Sequence, residues 1–190
     1  MCYAPTKDAS DEVKDHFYER LKKLLGNNRP QREMTILTGD MNAKIGNCNI
    51  GYEEVMGTHI LGDMSNNGER FADLCAEHEL VIGDSVFPHK RVHKATWVSP
   101  NHTTENQIDH LCISRKFRRT LLDLRVMRGA DASPDHHLLV GTLQFKVKQS
   151  VRPMVVRVKD INLLNDPSIA QQFFHQNQEE NPSPLRYEGP

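Results

Sequence analysis

Apolar residues recur along this chain at two spacings, one typical of helices and one typical of strands. Residues 10–25 show helical spacing behind a polar start that suits a helix N-terminus, and Gly26 ends the pattern. A second helical pattern covers residues 68–79, with Asn66 or Asn67 as its cap. The apolar positions of the first pattern are Val13, Phe17, Leu21, Leu24 and Leu25.

Strand composition marks several short segments that are separated by polar or turn-forming residues. They are 34–38, 80–82, 95–98, 107–113, 121–127 and 138–146, after a first segment that reads as the end of a strand at Met1–Tyr3. Strands interspersed with two helices predict a mixed α/β domain over residues 1–148. From Ser150 the chain turns to Asn, Gln, Pro and Glu, with one short helical pattern at 167–174, so residues 149–190 are predicted to be a linker or disordered tail.

Composition and charge narrow the class of protein. The 190 residues are 37% hydrophobic and 26% charged, which is ordinary for a globular chain, and the net charge of -1 does not indicate a strongly basic nucleic-acid binder. The four cysteines are scattered with no C-x-x-C pair, so we expect an intracellular protein, nuclear or cytoplasmic and not secreted. No signal-peptide pattern and no apolar run of about 18 residues occurs, so no membrane partner is expected.

Three short polar clusters end or follow predicted strands, and each contains an aspartate. They are Gly39-Asp40-Met41-Asn42, Asn106-Gln107-Ile108-Asp109-His110 and Ser133-Pro134-Asp135-His136-His137. Taken singly, each is also what an ordinary strand-to-turn junction contains. Taken together, they supply what phosphodiester hydrolysis needs: a carboxylate to accept a proton from water and a donor or cation to hold charge on the phosphate. Asp109 would fix the ring of His136 by a hydrogen bond.

The ordered set Tyr-Ala-Pro-Thr, Gly-Asp-Met-Asn, Thr-Trp, Ile-Asp-His and Asp-His-His extends over about residues 1–146. In this order it resembles the endonuclease/exonuclease/phosphatase superfamily. The closest resemblance is to the apurinic-type endonuclease domain of non-LTR retrotransposons, including the craniofacial development protein 2-like sequences related to them. The resemblance implies a β-sandwich flanked by helices and an activity that cleaves DNA phosphodiesters.

The resemblance also implies roles for residues near the start and middle of the chain. Tyr3 would contact the scissile phosphate. Asp40 with Asn42 would position and deprotonate the attacking water. Thr96 would flank the DNA substrate.

On the C-terminal side, the resemblance implies that Asp109 orients His136, which stabilises charge on the phosphate. Asp135 would belong to the metal side of the pocket. Mg²⁺ is the expected cofactor, because it is a hard cation that prefers oxygen ligands.

The sequence departs from the family pattern at its start. In the family, an asparagine motif and the main metal-binding glutamate motif both precede Tyr-Ala-Pro-Thr, and here only Met1 and Cys2 do so. We therefore expect a partial sandwich with N-terminal strands missing, an incomplete Mg²⁺ site and weak or no activity of this chain. A sheet face left without its partner would lose roughly 25 cal/mol per Å² of apolar burial.

One basic run lies between the second and third clusters, and Arg118 and Arg119 are its candidate DNA-binding residues. Its members are Arg115, Lys116, Arg118, Arg119, Arg125 and Arg128. They leave open an alternative, a non-catalytic nucleic-acid-binding or protein-interaction module. A relic without a folded state and a phosphatase for lipid or small phosphoesters also stay open, and the sequence does not decide the oligomeric state.

Overall fold

The computed structural model describes residues 2–26, 33–131, 135–145 and Gln171. The chain divides into two units, Met1–Lys146 and Val147–Pro190. Every helix and strand given below lies in the first unit. The predicted boundary after residue 148, and the predicted tail with its helix at 167–174, lie outside the described residues apart from Gln171.

Ten elements of regular structure follow one another in the first unit. In chain order they are β1 (Cys2–Tyr3), α1 (Asp11–Gly26), β2 (Ile36–Asp40), α2 (Asn66–Glu77), β3 (Leu80–Ile82), β4 (Trp97–Val98), β5 (Glu105–Asn106), β6 (Asp109–Ser114), β7 (Leu121–Asp131) and β8 (His137–Leu143). Short 3-10 segments cover Gly83–Ser85, Arg91–His93 and Arg115–Thr120. Among the described helices, none has the length and apolar character that crossing a bilayer requires.

The strands form one mixed four-stranded sheet and two hairpin-like pairs. The order in the larger sheet is β1-β2-β6-β3, with β1 parallel to β2 and with β6 antiparallel to both of its neighbours. β4 pairs with β5, and β7 pairs with β8. Gly141 of β8 lies against Leu111 of β6 and against Leu121 and Leu124 of β7, so the β7–β8 pair packs on the larger sheet.

Both predicted helices are present, but their boundaries and faces differ in detail from the predictions. In α1 the buried positions are Lys14, Tyr18, Leu21 and Leu25, whereas Val13 and Leu24 of the predicted apolar face are exposed. Lys14 can be buried because its ammonium donates to the carbonyl of Lys7 at 2.9 Å. In α2 the cap is Ser65, whose hydroxyl accepts from the Gly68 N–H.

Strand β2 ends two residues later than the alternation of apolar residues predicts, and this shift moves the first polar cluster into the sheet. Gly39 and Asp40 are the last two residues of β2 and pair with Cys2 and Tyr3 of β1. A Cβ at Gly39 would overlap the backbone of Cys2. Gly39 thus allows β1 to approach β2 closely, and the turn that the sequence suggested there comes later, at Asn42.

Candidate active site

One row of the sheet collects polar residues from three strands. Tyr3 of β1 is in register with Asp40 of β2, and Asp40 is in register with Asp109 of β6. Because β1 and β2 end at the edge where β6 begins, all three residues lie along one end of the sheet. Tyr3 is largely exposed there.

Asp40 and Asn42 form a tight unit beyond the end of β2. The Asn42 N–H donates to Oδ1 of Asp40 at 2.8 Å, and the Asn42 side-chain amide donates to the carbonyl of Ala4 at 2.9 Å. Asn42 has a positive φ of 46°, a conformation that asparagine adopts more readily than most residues. The unit therefore ties the Asp40 carboxylate to the Tyr-Ala-Pro-Thr segment.

The surroundings of Asp40 raise the pKa of its carboxyl group. Asp40 is only 8% exposed. Its burial raises its pKa, the Asn42 N–H lowers it, and the neighbouring Asp109 carboxylate raises it again, so that the balance lies above the ordinary value. A carboxylate with a raised pKa is a better proton acceptor once it is ionised.

Asp109 and His136 form the hydrogen-bonded pair that the sequence suggested. Nδ1 of His136 lies 3.0 Å from Oδ2 of Asp109, and both side chains are partly buried. His136 is held from its other side by an isolated bridge to Trp97. Because the Asp109 carboxylate accepts a hydrogen bond from Nδ1, the neutral His136 ring carries its proton on Nδ1. A protonated His136 ring donates from both Nδ1 and Nε2.

Thr96 supports the Asp109–His136 pair from inside the protein and does not line the site. It is fully buried, and its hydroxyl oxygen accepts from the backbone N–H groups of Ile108 at 3.0 Å and Asp109 at 3.1 Å. Its carbonyl accepts from the His137 N–H at 2.7 Å. The hydroxyl of Thr96 is thus engaged inside the protein and is not exposed at the site, and a role of Thr96 beside the DNA stays a prediction.

A Thr96→Val variant should lose stability, because two backbone N–H groups would lose their acceptor with almost no change in shape. Unpaired buried polar groups cost about 1–3 kcal/mol each, so we expect a loss of that order in the free energy of unfolding. Urea denaturation measures it. The control is Thr96→Ser, which retains the hydroxyl, and equal stability of the two variants would contradict the assigned role.

The chain is similar to known proteins in sequence and in fold. The chain is 31% identical over 185 residues to craniofacial development protein 2 of Bos taurus, an alignment that covers 95% of this chain and 30% of that protein. No protein-family model matches the chain. Its structure superposes on a 3'-5' exonuclease, NExo, of Neisseria meningitidis with a TM-score of 0.53 and 16% identity, over 73% of this chain and 56% of that one. The chain has the endonuclease/exonuclease/phosphatase fold.

A second solved structure of that fold gives a similar result. It is a 3' phosphatase NExo from Neisseria bound to product DNA hairpin, with a TM-score of 0.52 and 17% identity over 73% of this chain and 56% of that chain. The predicted mixed α/β class and the superfamily resemblance are thus confirmed. The chain spans 30% of the length of craniofacial development protein 2 of Bos taurus.

Asp135 is hydrogen-bonded to the β4 strand through both its side chain and its backbone. One of its carboxylate oxygens accepts from Nε1 of Trp97 at 3.3 Å, and its carbonyl accepts from the Val98 N–H at 2.9 Å. Within the described residues, the group of side chains that could hold a metal ion consists of Asp40, Asp109 and His136. Trp97 thus engages one oxygen of the Asp135 carboxylate, and a role of Asp135 as a metal ligand stays a prediction.

Arg118 and Arg119 are not brought to the site. They lie in the 3-10 segment that follows the end of β6 opposite Asp109, and the 6 residues of that strand separate its ends by about 17 Å. Arg118 donates to the carbonyl of Leu121 and stacks at 5.0 Å from the ring centre of Phe87. Other members of the basic run pair with acids, namely Arg115 with Glu54 and Glu79, Arg125 with Asp123, and Arg128 with Glu105. This pairing weakens the alternative of a nucleic-acid-binding module that acts through the basic run.

A cation fits between the carboxylates of the site. Asp40, Asp109 and His136 each offer one ligand atom, and these atoms lie within 4.8 Å of one another. Two carboxylates this close repel each other when both are ionised, and a cation would relieve that repulsion. Since Nδ1 of His136 already bonds Asp109, the two aspartates are the ligands that suit a hard cation.

Behind the site lies a buried ionic network that the sequence did not suggest. His110 is fully buried, with Nδ1 at 2.8 Å from Oδ2 of Asp84 and Nε2 donating to the carbonyl of Ala43 at 2.7 Å. Gln107 donates to the same Asp84 oxygen at 2.9 Å. A carbonyl only accepts, so His110 donates from Nε2 to Ala43, and the Asp84 carboxylate at Nδ1 together with that carbonyl raises the pKa of His110 above its ordinary value in spite of burial.

Asn67 holds two loops of the site in position. Sequence spacing suggested it only as a helix cap, but it is 3% exposed and its amide donates to the carbonyls of Pro5 at 2.9 Å and Asn42 at 3.1 Å. Asn67 thereby joins the loops that follow β1 and β2. The only sequence signal for this role was an Asn-Asn-Gly run beside a helix start, which is common without such a role.

Proposed function

We propose that this chain provides a DNA phosphodiesterase site of the retroelement endonuclease type, which depends on Mg²⁺. One observation carries the proposal: the Asp40–Asn42 unit and the Asp109–His136 pair meet at one end of the sheet. A proton acceptor and a hydrogen-bonded imidazole are thereby placed together beside two carboxylates. General acid–base and electrostatic catalysis of ester hydrolysis requires this combination.

In the proposed reaction, water attacks the phosphorus atom, the bond from phosphorus to the leaving oxygen breaks, and the leaving oxygen takes up a proton from solvent to become a hydroxyl. Asp40 accepts the proton that the attacking water loses, and Asn42 holds the Asp40 carboxylate in place by its N–H. His136, oriented by Asp109, donates a hydrogen bond to a phosphate oxygen as negative charge grows there. Tyr3, exposed at the end of the same row, contacts the phosphate of the bound strand.

Asp40 and Asp109 would hold Mg²⁺, which when bound supplies positive charge to the phosphate oxygens. Mg²⁺ usually keeps several waters and binds through one or two carboxylates together with substrate phosphates. Among the described residues, these two carboxylates are the oxygen ligands of the group. We therefore infer that the cation binds weakly without DNA and that turnover by this chain alone is slow.

DNA is the substrate that we infer, and two lines of support exist. The motif order of this chain resembles that of retroelement endonucleases. One of the solved structures that share its fold is a 3' phosphatase bound to product DNA hairpin. A reducing intracellular compartment, nuclear or cytoplasmic, belongs to the same proposal, and the four cysteines are free thiols.

The test is nicking of supercoiled plasmid by the full chain, with Mg²⁺ and with excess EDTA. We expect slow nicking that requires Mg²⁺. A parallel reaction with a 3'-phosphorylated oligonucleotide distinguishes release of phosphate from cleavage within the strand. Plasmid that stays supercoiled through prolonged incubation with Mg²⁺, or nicking that EDTA does not inhibit, would refute the proposal.

A further inference from the structure

A stretch of 20 residues beside the candidate active site contains no acidic residue. It covers residues 85–104. Because the whole chain carries 25 acids among its 190 residues, a stretch of this length would on average hold more than one. Lys90, Arg91 and Lys94 lie within it, so it has a local excess of positive charge that the net charge of -1 conceals.

The three basic residues lie on one compact turn, which we call the 90–94 turn. The carbonyl of Lys90 accepts from the His93 N–H at 2.9 Å, and the carbonyl of Arg91 accepts from the Lys94 N–H at 3.0 Å. The side chain of Arg91 is 67% exposed, and Lys90 is exposed as well. The basic side chains therefore start from neighbouring points of the protein surface.

This turn leads directly into the residues that support the site. Lys94 comes two residues before Thr96, whose hydroxyl accepts from the Asp109 N–H, and Trp97 forms a bridge with His136. Consecutive Cα atoms are about 3.8 Å apart, so those of Lys94 and Thr96 are at most about 7.6 Å apart. Phosphates of a DNA strand follow one another at about 3.4 Å along the helix axis. The turn is therefore within a few phosphates of the Asp109–His136 pair.

The acid that ends the stretch is more than offset by arginines. Glu105 accepts from Nε of Arg91 at 2.9 Å and from Nη2 of Arg128 at 2.8 Å. Two guanidinium groups on one carboxylate leave a net positive charge, and the side chain of Arg128 is still 38% exposed. A phosphate beside these arginines would offset the remaining charge.

Lys94 differs from an ordinary surface lysine. Its side chain is partly buried. Burial lowers the pKa of its ammonium group, and among the described residues no acid raises that pKa again. An ammonium that has lost part of its water without gaining a carboxylate is stabilised when a phosphate oxygen takes the place of that water.

We propose that Lys90, Arg91 and Lys94 bind the phosphate backbone of DNA on one side of the scissile phosphate. The inference rests on the proposed function for the identity of the ligand, and it adds the surface along which the strand is held. Contacts of this kind position a strand without reading its bases. The three residues were not among the DNA-binding candidates that the sequence indicated.

The test is fluorescence anisotropy of a labelled DNA duplex titrated with the full chain in excess EDTA. The double variant Lys90→Gln/Lys94→Gln should bind less tightly than the wild type, because two phosphate contacts are lost. The slope of log affinity against log salt should decrease in magnitude by about 2, about 1 for each contact. The difference in affinity from the wild type should accordingly shrink about 16-fold between about 50 and about 200 mM salt.

Arg20→Gln/Lys23→Gln is the matched control, because it also removes two positive charges, from exposed positions of α1 outside the turn. It should keep the salt slope of the wild type. Thermal melts show whether each variant folds. Lys90→Gln alone, at an exposed position, should show about half of the change in slope, and it tests the inference if Lys94→Gln impairs folding.

A wild-type chain that does not bind the duplex overturns the inference. So do turn variants with the salt slope of the wild type, or an α1 control that weakens binding as much as the turn variant does. Binding that depends on the turn supports the inference even if plasmid nicking fails. Nicking by a chain whose salt slope is unchanged in the turn variants supports the proposed function and refutes this inference.

Discussion

Replacing Asp40 by alanine should reduce Mg²⁺-dependent plasmid nicking by about 10²–10⁴-fold, which brings slow turnover to background. Asp40 is the buried carboxylate whose pKa is raised by burial and by Asp109, and its Oδ1 is fixed by the Asn42 N–H. Alanine removes the proton acceptor and one of the two carboxylates that would hold the cation. The measurement is the initial rate of nicking at saturating Mg²⁺, with wild type and variant compared at equal folded concentration.

Asp63→Ala is the control for this experiment, because Asp63 is an exposed aspartate outside the site. It should nick at the wild-type rate. Asp40→Asn is the informative companion variant, since it keeps the size of the side chain and removes the charge. An Asp40→Ala protein that nicks as fast as Asp63→Ala would show that the observed cleavage comes from another group or from a contaminating nuclease.

Breaking the buried Asp84–His110 pair should cost about 3–5 kcal/mol of unfolding free energy, because the remaining charge loses its partner inside the protein. Both side chains are almost completely buried, and His110 also donates to Ala43 in the loop after Asn42. We expect losses of this size for Asp84→Ala and for His110→Ala. Urea denaturation measures both.

The double variant provides the control for this pair. With both charges removed, no unpaired ion is left, so the double variant should be less destabilised than the sum of the single variants. Strict additivity would mean that the two groups do not act as an ion pair. It would also imply that the cavities, and not the charges, account for the losses.

The same pair gives stability a defined dependence on pH. Burial alone would lower the pKa of His110, but the Asp84 carboxylate and the Ala43 carbonyl raise it above its ordinary value. The contribution of His110 is therefore complete below about pH 6.5, where the unfolded chain also holds the proton, and is lost as pH rises through the folded pKa. In the presence of a chelator, the wild type should lose this increment with rising pH, and Asp84→Ala should show a smaller slope. Equal slopes would contradict the assignment.

Much of the fold was predictable from local patterns, because the spacing of apolar residues along the chain differs between helices and strands. The helices α1 and α2 and the strands β2–β4 and β6–β8 lie close to the predicted segments, whereas the two-residue strand β5 was not predicted. The face of α1 was mispredicted because Lys14 is buried through a hydrogen bond to the chain of another segment, and hydropathy does not record such a partner. The end of β2 was mispredicted because Gly39 and Asp40 are polar or turn-like by composition and are held in the strand by β1.

The sequence indicated which residues form the candidate site, but not how deeply each side chain is buried. Asp40, Asn42, Asp109 and His136 lie together, and motif order alone had placed them in one site. Thr96 differs because a buried hydroxyl and an exposed one look the same in a sequence. His110 was part of the second polar cluster, but its role was not predicted because its partners, Asp84 and Ala43, are distant along the chain, and only the folded sheet brings them together.

The pairing of β2 with β6 has a consequence for biosynthesis. Asp40 meets Asp109 only across strands that are far apart in the chain, and His136 joins them later still. Contacts of such long sequence separation form late in folding. The ribosome must therefore have released residue 136 before Asp40, Asp109 and His136 can meet, so a nascent chain that ends earlier than this residue cannot form the cluster.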